Sequence, residues 1–368
     1  MEESGAPPEA ETPVRDAEVR TREPVGNPAP LSGDGTGLPF TKELTAGTLA
    51  NGLRWYVKKN REPQNRAELR LAVRVGSISE QEHERGIAHI IEHLAFRATA
   101  KYPNQQDVVN YLERIGAQFG PCQNAYTSFE ETVFELHIPV DKSETLETSL
   151  GVLAEWAAHI RISDKDVDDE RTIVLEEWRQ QQTAAMRAVI AYTQALAGED
   201  SIYATRMPIG LTEVIKNVPG SVLRDFYRRF YVPGNMAVVC VGDFPVPEAD
   251  VIAMIAKIFG SLPAAPVETP APLHMAPWRA LTADQSPMVL ILPDDETTSS
   301  SVTVDVQMQR YIVRTEADYR ISIVRDLFHR AVNNRLFKIS LQSAKLWQRS
   351  VDGTAAASQL DDTGEMEQ

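Results

Sequence analysis

Cysteine is almost absent from this chain, which has two cysteines, Cys122 and Cys240, among 368 residues. Two are too few for a disulfide framework or for a metal site built from thiolates. Cys240 lies in an apolar stretch and is expected to be a core thiol, whereas Cys122 follows a Gly-Pro pair that predicts a turn. The scarcity favours a reducing intracellular compartment, either the cytoplasm or an organelle.

Long apolar runs and a surplus of basic residues are missing as well. Because no run reaches the roughly 18 apolar residues of a transmembrane helix, we expect a soluble protein with no membrane span. Lysine and arginine number 37 against 52 aspartate and glutamate, for a net charge of −15. This balance argues against a nucleic-acid partner, because nucleic-acid binding requires a basic face. The apolar content of 43% is still normal for a protein with a folded core, and the length allows two domains.

Large apolar side chains are also scarce in residues 1–37, which are rich in Pro, Gly, Glu and Ala. Such a segment cannot bury enough apolar surface to order itself, so we predict a disordered acidic tail. It lacks the apolar core of a signal peptide, and its acidity is unlike that of a transit peptide. The compartment therefore stays open, and the ordered chain is expected to begin near Leu38.

The most informative segment that is present is the pentapeptide from His89 to His93, which reads His-Ile-Ile-Glu-His. On a helix, residues four apart lie one turn apart on the same face, so both imidazoles point the same way. Two imidazoles in this arrangement can fill two corners of a tetrahedral zinc site. Glu92 projects from nearly the same face and could take a proton from a zinc-bound water. The motif is the inverted form, H-x-x-E-H, of the zinc-protease motif H-E-x-x-H.

The residues around this motif support a helix. Ile87, Ile90, Ile91 and Leu94 form an apolar stripe at helical spacing, and Gly86 suits a helix start. The alternative interpretation is a pair of core histidines with a chance glutamate between them. Buried His and Glu side chains on an apolar helix need partners, and a metal ion is the simplest one.

A third metal ligand is expected downstream, on a second helix. Glu170 and Glu177 are seven residues apart, so on a helix they share one face two turns apart. Glu177 could bind zinc while Glu170 holds a histidine or another ligand from behind. The competing interpretation is a solvated acidic helix, which is a common element.

Several further segments resemble the pitrilysin/insulinase family of zinc metallopeptidases, and most closely its long single-chain bacterial and plastid processing-peptidase type. The matching segments are Leu49 to Arg54, Arg66 to Leu71, Val75 to Ser77, Gly86 to Phe96, Asn124 to Phe129, Glu131 to Val133, Pro208 to Gly210, Phe226 to Tyr227, Tyr231 to Met236 and Val241 to Asp243. Together they extend over most of the first two thirds of the chain.

This resemblance implies a role for each matching position. One zinc ion per chain would be bound by His89, His93 and Glu177. Glu92 would be the general base, and Glu170 would support a ligand from behind. The main chain of four residues would pair with an extended peptide substrate: Asn124, Ala125, Tyr126 and Thr127. The distance along the chain from the histidines to Glu177 is longer than in the shorter family members, and a rigid count would select Glu170 as the third ligand instead.

The order of predicted elements indicates an α+β fold, with a mostly antiparallel sheet, helices packed on one face, and the start of a second related α+β domain. Strands are expected at 48–58, 66–76, 123–128, 131–138 and 236–242, and helices at about 104–116, 142–160, 164 to past 185, 219–231 and 315–340. Further strands are expected at Met288 to Leu292 and Val302 to Met308. The predicted units are a disordered tail over 1–37, a catalytic zinc peptidase domain over 38–262, a Pro/Ala-rich linker over 263–281, a truncated second peptidase-like domain over 282–349 and an acidic disordered tail over 350–368.

The leading functional hypothesis is a zinc-dependent metalloendopeptidase that acts on unfolded peptides or presequences. Family members usually close two related halves around the peptide, so a second homologous half or a partner subunit is expected to complete the chamber. The alternative is a non-catalytic or partner-dependent peptide-binding subunit of a processing-peptidase complex. A purely structural zinc is disfavoured, because Glu92 would then stand beside the metal without a role.

Overall fold

The computed structural model describes residues 37–38, 41, 43–117, 123–197, 201–268, 289–298, 300–303 and 313–342. Nearly all of the tail predicted over 1–37, the tail over 350–368 and most of the linker over 263–281 lie outside these residues, as does Cys122. Within the described residues, no helix combines the length and apolar character that a membrane span requires.

A six-stranded open sheet forms the centre of the described fold. Its strands are β1 (Thr45–Thr48), β2 (Arg54–Lys59), β3 (Arg66–Val73), β4 (Gln123–Thr127), β5 (Thr132–Pro139) and β6 (Met236–Gly242). They lie in the order β1-β2-β6-β3-β5-β4. β2 and β6 run parallel, and every other pair is antiparallel. The predicted α+β class with a mostly antiparallel sheet is confirmed, and β6 occupies a central position between β2 and β3.

The strand predicted over 48–58 is divided in two by a turn. β1 and β2 pair as a hairpin, and the chain reverses through Asn51 and Gly52. Gly52 has a φ of +92°, a conformation that side chains with a Cβ rarely adopt. An Asn-Gly pair is a strong hairpin signal, so the sequence contained the information for this turn.

The described residues also form ten α-helices. They are α1 (Ile87–Arg97), α2 (Gln105–Arg114), α3 (Ser143–Ala158), α4 (Asp164–Gln180), α5 (Ala184–Ala197), α6 (Ile202–Thr205), α7 (Thr212–Asn217), α8 (Gly220–Phe230), α9 (Glu248–Phe259) and α10 (Glu316–Gln342). The helix predicted to run from 164 past 185 is therefore two helices. Thr183 begins the second, because its hydroxyl accepts a hydrogen bond from the Met186 N–H at 3.2 Å.

The core lies between the helices and one face of the sheet. Trp55 and Trp156 are fully buried, and Trp156 packs against Phe96 and Phe134 with ring centroids 5.2 and 5.4 Å apart. Burying one such aromatic removes about 150–250 Å² from water, which corresponds to about 4–6 kcal/mol of transfer free energy. The opposite face of the sheet is polar, with partly exposed Arg70 bound to Glu135 at 3.0 Å. The predicted packing of helices on one face is thus observed.

After the linker, the predicted helix over 315–340 is confirmed as α10, whereas the first predicted strand is not formed. Residues 289–292 have no regular structure, so the strand predicted at Met288 to Leu292 is not formed where it is described. Val289 and Ile291 are 78% and 80% exposed, and no described strand pairs with this segment. Most of the strand predicted at Val302 to Met308 lies outside the described residues. Arg187 on α5 binds both carboxylate oxygens of Asp294, at 2.7 and 2.9 Å.

Candidate metal centre

Helix α1, which carries the two histidines, has a fixed starting point. Its N-cap is Gly86, with a φ of +104°. The buried carboxylate of Glu80 accepts the N–H groups of Gly86 and Ala88, both at 2.9 Å. Gly210 lies so close that a Cβ on Gly86 would be 3.0 Å from its Cα. Burial raises the pKa of Glu80 to about 8, although these two hydrogen bonds act in the opposite direction.

The imidazoles of His89 and His93 converge on one carboxylate. Their ring centroids are 4.7 Å apart, and their Nε2 atoms lie 3.5 and 3.6 Å from Oε2 of Glu177 on α4. Two ligand atoms at tetrahedral corners, each about 2.0–2.1 Å from a zinc ion, are about 3.3 Å apart. The three side chains therefore fit the geometry that zinc needs, and all their ligand atoms lie within 4.8 Å of one another.

The protonation of His89 also suits a metal ligand. Burial, followed by the neighbouring His93, lowers the pKa of His89 to about 3. The ring is therefore neutral at physiological pH, and a nitrogen lone pair is available for a metal. Its Nδ1 is buried and has no hydrogen-bond partner in the described structure, so a metal on Nε2 would be the main group that orients this ring.

Glu170 lies on the other side of the His93 ring. Its Oε2 is 3.1 Å from His93 Nδ1, and its Oε1 accepts a hydrogen bond from Arg97 Nη1 at 2.8 Å. Arg97 also binds Asp169 at 2.8 Å and Asp166 at 3.5 Å. Burial favours the neutral form of Glu170, but the hydrogen bonds from His93 and Arg97 outweigh burial and lower its pKa. Glu170 is thus a buried carboxylate that orients His93, in the manner of an outer partner of a metal ligand.

Glu92 stands beside the two imidazoles and is 7% exposed. Thr127 on β4 donates its hydroxyl hydrogen to Glu92 Oε2 at 2.6 Å. Burial raises the pKa of Glu92, and the Thr127 hydrogen bond partly counteracts this rise. A carboxylate with a raised pKa is better suited to accept and return a proton near neutral pH than an exposed one.

β4 is the last strand in the sheet order, so one of its sides is free among the described strands. Ser128 donates its N–H to Glu131 O at 2.8 Å. Main-chain groups alternate in direction along an antiparallel strand, so those of Ala125 and Thr127 point to the free side. The Ala125 N–H is covered by the Asn124 side chain, to which it donates at 3.0 Å.

The remaining predicted residue of this strand, Tyr126, is 42% exposed and donates its hydroxyl hydrogen to Glu131 Oε1 at 3.0 Å. The structure therefore brings His89, His93 and Glu177 to one point. It places Glu92 next to them and Glu170 behind His93.

Three contributions were absent from the sequence prediction: the Arg97 anchor of Glu170, the Glu80 carboxylate at the start of α1, and the Thr127 hydroxyl on Glu92. Arg97 had a readable signal, because it follows His93 by four residues and so lies on the same helical face. The Thr127 contact joins residues 35 apart in the chain, and the Glu80 contacts span six and eight residues through an irregular loop, so no periodic pattern predicts either.

Comparison with protein families matches two segments of this chain. Residues 56–200 match the model "Insulinase (Peptidase family M16)", and residues 218–347 match "Peptidase M16 inactive domain". The chain is 42% identical over 294 residues to the "Zinc protease PQQL-like" of Arabidopsis thaliana, an alignment that covers 80% of this chain. It is 40% identical over 206 residues, or 56% of this chain, to the "Probable zinc protease PqqL" of Haemophilus influenzae.

Among solved structures, the first half of the periplasmic protease PqqL from Escherichia coli superposes with a TM-score of 0.68 at 26% identity, covering 84% of this chain and 64% of that one. The chain spans 30% and 22% of the lengths of the two curated relatives above. The two family matches, the sequence identities and the shared fold agree. The chain therefore belongs to the insulinase family of peptidases, family M16.

Proposed function

We propose that this chain supplies the zinc-binding, catalytic half of a metalloendopeptidase that hydrolyses peptide bonds in unfolded peptides or presequences. The observation that carries the proposal is the convergence of two Nε2 atoms and one carboxylate oxygen within 4.8 Å, beside a buried glutamate. Relatives named zinc proteases support the same activity.

His89, His93 and Glu177 would hold one zinc ion per chain. When bound, such an ion lowers the pKa of a water molecule and polarises a carbonyl oxygen. Glu170, braced by Arg97, keeps His93 in the orientation and tautomer that a ligand requires, because its carboxylate accepts the Nδ1 proton.

Glu92 acts as the general base. It accepts a proton from the attacking water and delivers that proton to the leaving amine, so the carboxyl ends the cycle as it began. Its burial keeps bulk water from competing for this proton. Its place on the same helix as both histidines holds it at a constant distance from them.

The substrate is expected to bind as an extra strand on the free side of β4. The outward main-chain groups of Ala125 and Thr127 pair with the peptide backbone, and the peptide displaces the Asn124 side chain from the Ala125 N–H. The side chains of Asn124 and Tyr126 project from one face of β4. Pairing through the main chain recognises an extended shape, so we expect broad sequence preference and a requirement for unfolded substrate.

A second homologous half, or a partner subunit, is expected to complete the substrate chamber. The chain covers less than a third of two curated relatives, and a matched structure is described as the first half of its protein. The same fact supports an alternative function, a peptide-binding subunit that needs a partner for turnover.

The test is hydrolysis of a quenched, unstructured peptide by the purified chain, with added zinc and with a chelator. Glu92→Gln is assayed beside it. Glu176→Gln serves as a matched control, because Glu176 lies on α4, is exposed, and its side chain binds Arg179 at 3.0 Å. Chelator-sensitive turnover that is lost in Glu92→Gln and kept in Glu176→Gln supports the peptidase. Stoichiometric zinc without turnover supports the partner-dependent alternative. Turnover that survives Glu92→Gln contradicts the assignment of the base.

A further inference from the structure

We infer that Thr127 is a positioning residue for the general base, and that it couples peptide binding on β4 to the orientation of Glu92. The inference rests on the proposed function. The inference concerns the side chain of Thr127, whereas the sequence resemblance implied only that its main chain pairs with the peptide.

The hydrogen bond between the two side chains is short and specific. Thr127 donates from Oγ1 to Oε2 of Glu92 at 2.6 Å, a distance typical of a hydroxyl bound to a charged oxygen. Within the described residues, no other group donates a hydrogen bond to this carboxylate. One oxygen of the base is therefore anchored, which leaves Oε1 as the oxygen that would accept the proton of the attacking water.

The two ends of Thr127 face different partners. Its hydroxyl reaches Glu92, while its N–H and C=O point to the free side of the sheet, where a peptide would pair. Threonine is branched at Cβ, so its χ1 angle has few accessible values and the hydroxyl follows the backbone. A peptide that pairs with Thr127 would hold the backbone still and thereby hold the hydroxyl and Glu92 in place.

A purely structural role would consist in stabilising a buried carboxylate without any link to turnover. Two substitutions separate the possibilities. Thr127→Val keeps the branched shape and removes the donor, and Thr127→Ser keeps the donor and removes the branch. Neither touches His89, His93 or Glu177.

Steady-state kinetics with the quenched peptide give the first test. We expect Thr127→Val to lower kcat by about 10- to 100-fold, the range for loss of one hydrogen bond to a charged group, with KM changed less than about threefold. Thr127→Ser should retain most of kcat, and the zinc affinity of both variants should match the parent. Loss of zinc binding, or equal losses of kcat in both variants, would overturn the inference.

A second test uses the zinc-free full chain and needs no turnover. Urea midpoints are measured for the parent, Thr127→Val, Glu92→Leu and the double variant, because a leucine side chain has no acceptor for the Thr127 hydroxyl. If the side chains interact, the two shifts are less than additive, because either substitution alone already removes the contact. Additive shifts would overturn the inference even if the chain has no activity by itself. A parent that binds zinc but does not turn over peptide would instead count against the catalytic part of the proposed function while leaving the measured coupling intact.

Discussion

Glu170 and Glu177, which both lie on α4, should differ in how strongly they control zinc binding. Replacing Glu177 by Gln removes an oxygen that lies 3.5 and 3.6 Å from the two Nε2 atoms, so it removes a direct ligand. Replacing Glu170 by Gln leaves all three ligand atoms in place and weakens the group behind His93. Loss of such an outer partner typically weakens zinc binding by about 10- to 100-fold, which is about 1.4–2.7 kcal/mol.

The structure limits the effect of Glu170→Gln to this range. Arg97 would keep Asp169 at 2.8 Å and Asp166 at 3.5 Å, so its guanidinium would not become a buried unpaired charge. Glutamine also has the shape of glutamate, so a residue that is 4% exposed is replaced without a cavity. The expected loss therefore comes mainly from the changed contact with His93 Nδ1.

Competition with a chromogenic zinc chelator measures both variants on one scale, with Glu176→Gln as the control for a lost charge on the same helix. The expected order of zinc affinity is parent and Glu176→Gln, then Glu170→Gln, then Glu177→Gln. If Glu170→Gln lost more affinity than Glu177→Gln, the reasoning would be refuted, and Glu170 would be the third ligand.

Three further predictions concern the start of α1 and the edge of the sheet. Because the folded pKa of Glu80 is about 8, above its ordinary value of 4.5, its contribution to stability is full below pH 4.5 and is lost as pH rises through 8. Across that range, the free energy of unfolding of the parent in urea should fall by up to about 4–5 kcal/mol relative to that of Glu80→Gln. Parallel pH curves for the two proteins would contradict this. Ala125→Pro should raise KM with little change in melting temperature, because the Ala125 N–H faces the free side of β4. Tyr126→Pro should lower the melting temperature, because the Tyr126 N–H faces β5. The reverse pattern would refute the assigned directions. Gly210→Ala should destabilise the fold by about 2 kcal/mol or more, because its φ is +82° and the new Cβ would lie 2.4 Å from Gly86 Cα; an unchanged thermal midpoint would contradict this.

The parts of the fold that depend on short-range patterns were predictable. The apolar stripe beside His89 and His93 predicted α1 because residues three and four apart share a helical face. β4 and β5 were predicted within one or two residues, because they are joined by a short turn. Missed features had local signals in three places: the Asn51-Gly52 turn, the Thr183 cap and Arg97, which follows His93 by four residues.

Other features had no local signal. The central position of β6 depends on pairing with β2 and β3, which are far away in sequence, and periodicity does not select a partner strand. The Thr127 hydroxyl meets Glu92 only because β4 lies beside α1, and Glu80 meets α1 through a loop that bends back. Such contacts follow from the assembled sheet and helices, so the candidate ligands could be predicted while their supporting contacts could not.

The late position of β6 in the chain has a consequence for synthesis on the ribosome. β3, β5 and β4 can associate as soon as they emerge, but the β1–β2 hairpin reaches them only through β6, which ends at Gly242. The start of α1 packs against Gly210, and Arg171 on α4 binds the carbonyl groups of Ile215 and Val218. These contacts can form only after the later residues have emerged. A nascent chain that has emerged only as far as Glu177 thus holds every candidate zinc ligand and the contacts of His93 and Arg97 with α4, but it lacks β6, Gly210 and the Ile215 and Val218 carbonyl groups that complete the packing around α1 and α4. Its metal affinity should stay low until about 65 more residues have left the tunnel, which postpones any proteolytic activity until the domain is complete.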